Sequence, residues 1–179
     1  MSASGPDTRI GVGQDIHRLA PGRRLVLGGV EIPAEEGFET HSDGDVLSHA
    51  IVDAMAGALA DGDLGTHFPE EDPAADDARS LDFVVEFVAY AQSKGWTPAQ
   101  LDSFVVLGTT RLRPHIEAMR ANVAGALGLE LTEVSIKGRS NDGIGPEGEG
   151  TATSAWAAVV MSRYDGPPPQ SPPTSYRHW

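Results

Sequence analysis

The stretch from Asp45 to Gly62, DVLSHAIVDAMAGALADG, decides the fold. Val46, Leu47, Ala50, Ile51, Ala54, Met55, Ala58 and Leu59 recur as adjacent pairs every four residues, the spacing of one apolar helical stripe over four turns. Asp45, His49 and Asp53 form a second line at i, i+4 and i+8 beside that stripe. Burying the stripe therefore brings three polar side chains to the edge of the core. Gly62, just past the last apolar pair, predicts the stop.

Upstream of this helix, Arg9 to Gly13 predicts a short first strand, and Leu25–Leu27 and Val30–Ile32 flank Gly28-Gly29 as a hairpin. Downstream, Asp63 to Pro73 predicts a loop. Ser80 is placed to cap a second helix with Leu81, Val84, Val88 and Ala91 inside and Gly95 at its end. Leu101 to Leu107 predicts a buried strand. Pro114 opens a third helix, with Ile116, Met119, Val123 and Leu127 inside and Gly128 as its stop. Val134–Lys137 and Ala152–Met161 complete the strands. The expectation is an α/β (α+β) sandwich, one mixed sheet with helices packed on one face. Residues 1–8 are expected to be a loose leader, 9–163 a single domain, and 164–179 a Pro-rich disordered tail.

Composition narrows the function. The 179 residues suffice for one domain with a proper core. With no cysteine, disulfides and thiolate metal sites are excluded, which fits a reducing cytoplasm. No apolar run is long enough to span a membrane, so no membrane partner is expected. A formal net charge of -13 argues against nucleic acid as a partner. An acidic protein that handles an anionic substrate must do so through bound cations.

Three of the six histidines crowd into two windows, Asp15-Ile16-His17 and His41-Ser42-Asp43-Gly44-Asp45 with His49 following. Asp15 and His17 are two residues apart on an extended segment, so both point to one face. His49, on a helix over that face, can meet them. One carboxylate and two imidazoles suit zinc with an open fourth position, and equally a non-haem iron facial triad. Asp45 and Asp53, one turn either side of His49, are candidates to hold its second ring nitrogen. His41 and Ser42 precede a predicted helix N-terminus, where an anion is favoured, and are expected to contact substrate. His67 and His115 fit no cluster and are expected to be ordinary surface residues.

These segments resemble the 2-C-methyl-D-erythritol 2,4-cyclodiphosphate synthase family of the non-mevalonate isoprenoid pathway. The carrying motifs are RIGVGQDIHRL at Arg9–Leu19, LVLGGVEIP at Leu25–Pro33, HSDGDVLSHAIVDAMAGALADGDLGTHFPEEDP at His41–Pro73, and PHIEAMRANVAGALGL at Pro114–Leu129. The resemblance implies a zinc ion on Asp15, His17 and His49, and a second divalent cation, Mg2+ or Mn2+, on the Asp142 side. It implies substrate contacts from His41, Ser42, Asp53, Asp63, Gly65 and Glu70. The nucleotide side would come from residues 107–113 and 137–142, with Arg111, Lys137, Arg139 and Ser140 among them. It also implies a homotrimer with active sites between subunits. The implied reaction closes a cyclodiphosphate from 4-diphosphocytidyl-2-C-methyl-D-erythritol 2-phosphate and releases CMP. In that chemistry His41, Ser42 and Asp142 would stand at the reacting groups.

The chain departs from the family pattern on the nucleotide side. Gly138-Arg139-Ser140-Asn141-Asp142 stands where the family carries A-T-T-x-E, and Asp142 is one methylene shorter than that glutamate. Thr110-Arg111-Leu112-Arg113-Pro114-His115 replaces P-K-M-L-P-H and keeps a cation at Arg111. Glu147-Gly148-Glu149-Gly150 lacks the arginine of G-R-G-E-G. Two alternatives follow: a paralogue with altered nucleotide or diphosphate specificity, and a non-catalytic trimer that binds metal and ligand. Release of CMP from authentic substrate separates the synthase reading from the non-catalytic alternative.

Overall fold

A computed structural model describes residues 7–40, 42–69 and 78–167, so the expectations for His41, Glu70, most of the leader and most of the tail fall outside the described residues. Strand β1 (Thr8–Pro21) leads into the hairpin strands β2 (Leu25–Leu27) and β3 (Val30–Ile32) and a short β4 (Glu36–Phe38). Helix α1 (Val46–Leu59), the single turn α2 (Leu64–His67) and α3 (Ser80–Ser93) come next. Then follow β5 (Trp96–Val106), α4 (Ile116–Leu127), β6 (Val134–Arg139), the short α5 (Gly145–Gly148) and β7 (Ala152–Arg163).

Five strands form one sheet in the order β4-β1-β7-β5-β6, while β2 and β3 pair separately. Only β5 and β6 run parallel; the other ladders are antiparallel, so the sheet is mixed as expected. The helices lie on one face of it. Val46, Leu47, Ala50, Ile51, Ala54 and Met55 of α1 are fully buried, as the periodicity predicts.

Strand β1 runs well beyond the expected Gly13. Its odd residues Gly11, Gly13, Asp15, His17 and Leu19 turn toward the helices, and Ile10, Val12, Gln14, Ile16 and Arg18 turn away. The alternation was masked because polar residues occupy the inner face where a core strand would place apolar ones. Gly11 and Gly13 set the distance to α1. A Cβ on Gly13 would sit 2.1 Å from the Ala50 carbonyl oxygen, and one on Gly11 would sit 1.8 Å from that of Ala54. No other residue fits there, so α1 lies on the strand backbone. Four helical residues advance about 6 Å and two strand residues about 6.6 Å. The two ladders therefore stay in step, from Gly11 under Ala54 to Asp15 against His49.

Several element ends differ from the expectation. Ala60, not Gly62, closes α1 in the left-handed conformation (φ 56°), and its N–H bonds back to the helix. Pro114 lies inside a turn closed by the His115 N–H on the Leu112 carbonyl, so α4 starts at Ile116 with His115 at its N-cap. Ser80 does not cap α3; Arg79 is the N-cap residue and makes no side-chain capping bond. The first strand begins at Thr8, within the expected leader, and the last ends at Arg163.

Candidate metal centre

Asp15, His17 and His49 each offer a ligand atom within 4.8 Å of the others. Asp15 Oδ2 is 2.9 Å from His49 Nδ1 and 3.2 Å from His17 Nε2. A tetrahedral ion with bonds of about 2.0–2.2 Å sets its ligand atoms on the order of 3.3 Å apart. Both distances to Asp15 stand near that scale, and all three ligand atoms lie within 4.8 Å of one another. Burial opposes charge on Asp15, but the His49 and His17 rings beside it outweigh burial and hold the carboxyl below the usual carboxylate range. It is an anionic ligand at neutral pH.

The donor set is also correct in its protons. His17 Nδ1 lies 3.1 Å from the Gly44 carbonyl oxygen, which can only accept, so Nδ1 carries a hydrogen and Nε2, on the Asp15 side, is the nitrogen available to a metal. Gly44 is required for this contact: its φ is 69°, and a Cβ would meet Phe38 Cβ and Thr40 Oγ1 at 2.6 Å. Phe38 packs its edge against His17 and Phe83 stacks beside His49, which limits water around the rings. A carboxylate and two imidazoles that converge this closely fit a divalent cation.

Asp45 and Asp53 do not hold His49. Asp45 is fully buried as the N-cap of α1, where it accepts the N–H groups of Leu47 and Ser48, the Ser48 hydroxyl, and Gly29 N–H at 2.8 Å. It thereby ties the β2–β3 turn to the helix. Burial pushes its carboxyl up, and the Gly29, Ser48 and Gly28 bonds work against that. Asp53 accepts the Leu64 N–H at 2.7 Å and so draws α2 to α1. Its carboxyl is likewise raised, chiefly by burial. Asp63 caps α2 and takes both the Thr66 N–H and hydroxyl; Gly65 lies in the same turn.

The group behind His49 is Ser80, which sequence reasoning assigned to a helix cap. Its Oγ lies 2.9 Å from His49 Nε2 and 2.5 Å from Asp43 Oδ1. The missed signal was the Ser-Asp-Gly-Asp run, in which Asp43 also accepts the Asp45 N–H and so faces inward. Ser42 accepts the Gly44 N–H and borders a cavity of about 720 Å³ that Arg23, Arg24 and Asp43 share. His67 is buried rather than exposed: its ring lies edge-on to Phe87, and Nε2 is 2.7 Å from the Asp61 carbonyl oxygen. The short α2 folds it under the loop, which its sequence position did not announce.

A second cavity, of about 780 Å³, gathers Arg111, Lys137, Arg139 and Ser140 between the ends of β5 and β6 and the segment before α4. It shares no lining residue with the Asp15–His17–His49 cluster. Asp142 does not line it. That residue stands exposed on a 3-10 turn, Asn141–Gly143, with φ 49°. The Lys137 ammonium is paired with Asp102.

Known proteins are similar to this chain over most of its length. A model of the YgbB family fits residues 8–162. The 2-C-methyl-D-erythritol 2,4-cyclodiphosphate synthase of Gloeobacter violaceus is 46% identical over 161 residues, covering 90% of this chain and 99% of that protein. The synthase of the same name from Syntrophomonas wolfei is 47% identical over 155 residues, with 87% and 99% covered. A solved 2C-methyl-D-erythritol-2,4-cyclodiphosphate synthase superposes with a TM-score of 0.80 at 33% identity, over 86% of this chain and all of that one. The bifunctional IspDF of Campylobacter jejuni superposes with a TM-score of 0.84 at 28% identity, and the chain spans 43% of that longer protein.

Proposed function

The chain belongs to the YgbB family, and from that we propose that it works as the 2-C-methyl-D-erythritol 2,4-cyclodiphosphate synthase its relatives are named for. It is a lyase of isoprenoid precursor biosynthesis. It converts 4-diphosphocytidyl-2-C-methyl-D-erythritol 2-phosphate into 2-C-methyl-D-erythritol 2,4-cyclodiphosphate and CMP. The observation that carries this reading is the convergence of Asp15, His17 and His49 on one point.

In the reaction, an oxygen of the 2-phosphate attacks the β-phosphorus, and the bond from that phosphorus to the bridging oxygen breaks. CMP leaves with the electron pair, and no water is consumed. The nucleophile is already an anion, so the protein need not remove a proton. The barrier lies in aligning two anionic groups and in stabilising charge on the leaving phosphate. Zinc held by Asp15, His17 and His49, with Mg2+ or Mn2+ on the Asp142 side, would screen the phosphates and polarise their oxygens. Asp53, Asp63 and Gly65 fix the α1–α2 corner, where we place the methylerythritol, with His41, Ser42 and Glu70 completing that side. Arg111, Arg139, Ser140 and Lys137 would receive the cytidine and its phosphate.

We read the assembly as a homotrimer. Ile10 and Val12 are 70% exposed and Ile16 45%, all on the sheet face away from the helices. Phe104 and Trp156 stack on the same face at 4.9 Å. An apolar sheet face of this kind calls for a partner surface. The separate linings of the metal cluster and the second cavity support a site completed by the neighbour. Among the described residues no helix is long and apolar enough to cross a membrane. A cytoplasmic location goes with a biosynthetic enzyme of this class. The test is CMP release from authentic substrate by the zinc-loaded chain; continued binding without CMP release would favour the non-catalytic alternative.

A further inference from the structure

Behind the metal cluster lies a hydrogen-bond chain that runs from His49 through Ser80 to Asp43. His49 Nε2 meets Ser80 Oγ at 2.9 Å, and Ser80 Oγ meets Asp43 Oδ1 at 2.5 Å. Asp43 Oδ1 also accepts the Ser80 N–H at 3.1 Å and the Asp45 N–H at 3.2 Å. The Asp43 N–H in turn donates to the Ala78 carbonyl. Asp43 is thus pinned between the loop before α1 and the start of α3. Ser80 is fully buried and does not cap its helix.

A serine hydroxyl has one hydrogen, and a carboxylate has none to give. The short contact to Asp43 takes that hydrogen. Ser80 Oγ can then only accept from His49, so Nε2 carries a ring hydrogen, and in the neutral ring Nδ1 is then the nitrogen whose lone pair is available to a metal. Nδ1 lies 2.9 Å from Asp15 Oδ2, the carboxylate oxygen that would bind the same ion. Without Asp43, the hydroxyl could turn and donate to Nε2, which would place the hydrogen on Nδ1 and close that ligand position. We infer that Ser80, oriented by Asp43, is a positioning residue that fixes the metal-ready tautomer of His49. The inference rests on the metal reading of Asp15, His17 and His49 given above. Partners of this kind typically carry about 10–100-fold in metal affinity.

The test measures the zinc dissociation constant of the full chain by competition with a chromophoric chelator. Ser80→Ala should raise it about 10–100-fold, and Ser80→Thr, which keeps the hydroxyl, should stay within about threefold of wild type. The second readout is nitrogen NMR of the histidine rings in the zinc-loaded wild type, where His49 should carry its hydrogen on Nε2. A merely structural Ser80 would lower the melting temperature in Ser80→Ala and leave the zinc dissociation constant unchanged. Unchanged zinc affinity in Ser80→Ala, with wild-type binding intact, overturns the relay alone. Failure of the wild type to bind zinc overturns the triad reading and the relay together. If Ser80→Ala does not fold, the wild-type ring spectrum decides, and a hydrogen on Nδ1 of His49 refutes the inference.

Discussion

His49 is the residue on which the chemistry turns, because it alone among the three ligands comes from a helix. Its removal leaves Asp15 and His17 with two donors, below the three needed for an open tetrahedral site. His49→Ala should abolish turnover and lower bound zinc in the purified protein, as read by CMP release and metal analysis. A variant that retains zinc and turns over would remove the cluster from the mechanism. A second prediction at this scale concerns Asp102, whose carboxyl the Lys137 hydrogen bond holds below its ordinary 3.8. A lowered folded-state value adds stability above 3.8 that is lost as pH falls through the lowered one. Both side chains are substantially exposed, so screening limits the gain to below about 1 kcal/mol. Asp102→Asn should therefore melt slightly below wild type near neutral pH and with it at about pH 2. A gap that persists in acid would assign the effect to packing instead.

At the scale of the element, the close seat of α1 on β1 makes the site possible. Gly13→Ala would drive a methyl into the Ala50 carbonyl and the Ala54 nitrogen. Backbone cannot step aside as a side chain can, so the cost should reach about 1–3 kcal/mol or more. The melting temperature should fall, and zinc binding should weaken with it as His49 is displaced from Asp15. Asp45→Ala removes the cap of α1 and leaves buried donors at Gly29 and Ser48 without an acceptor. The cap accounts for about 0.5–2 kcal/mol and each stranded donor for about 1–3. Denaturant unfolding should show a loss larger than a cap alone explains.

The elements were unevenly legible in the sequence. Helix α1 could be read because its stripe follows the 3.6 period without interruption. The length of β1 could not, since Asp15 and His17 take inner positions where periodicity expects apolar residues. The three metal ligands were nonetheless visible as a set, because a two-residue spacing on a strand and a histidine on the facing helix are local patterns. Ser80 was misread for the opposite reason. Its role depends on Asp43, 37 positions away, and nothing near Ser80 marks that contact. Local spacing likewise gave no sign that Asp45 would be spent on the hairpin turn, or that His67 would be buried.

At the scale of the whole molecule, the described residues present a metal cluster, a cavity that shares no lining residue with it, and an exposed apolar sheet face. Val12 is the position at which to test what covers that face, since its side chain is 70% exposed. Val12→Asp should leave the melting of the subunit fold largely intact and shift the sedimenting species from trimer to monomer. Turnover should fall with assembly, because the cavity at Arg111 and Arg139 would lose its facing metal cluster. A wild-type monomer with full activity would contradict the shared-site reading.

The central claim is ring closure, and phosphorus NMR reads it directly. The zinc-loaded protein, with magnesium and 4-diphosphocytidyl-2-C-methyl-D-erythritol 2-phosphate, should replace the substrate resonances by those of the cyclodiphosphate and CMP in equal amounts. Substrate that persists unchanged, or CMP that appears beside an open-chain bisphosphate, would contradict the account.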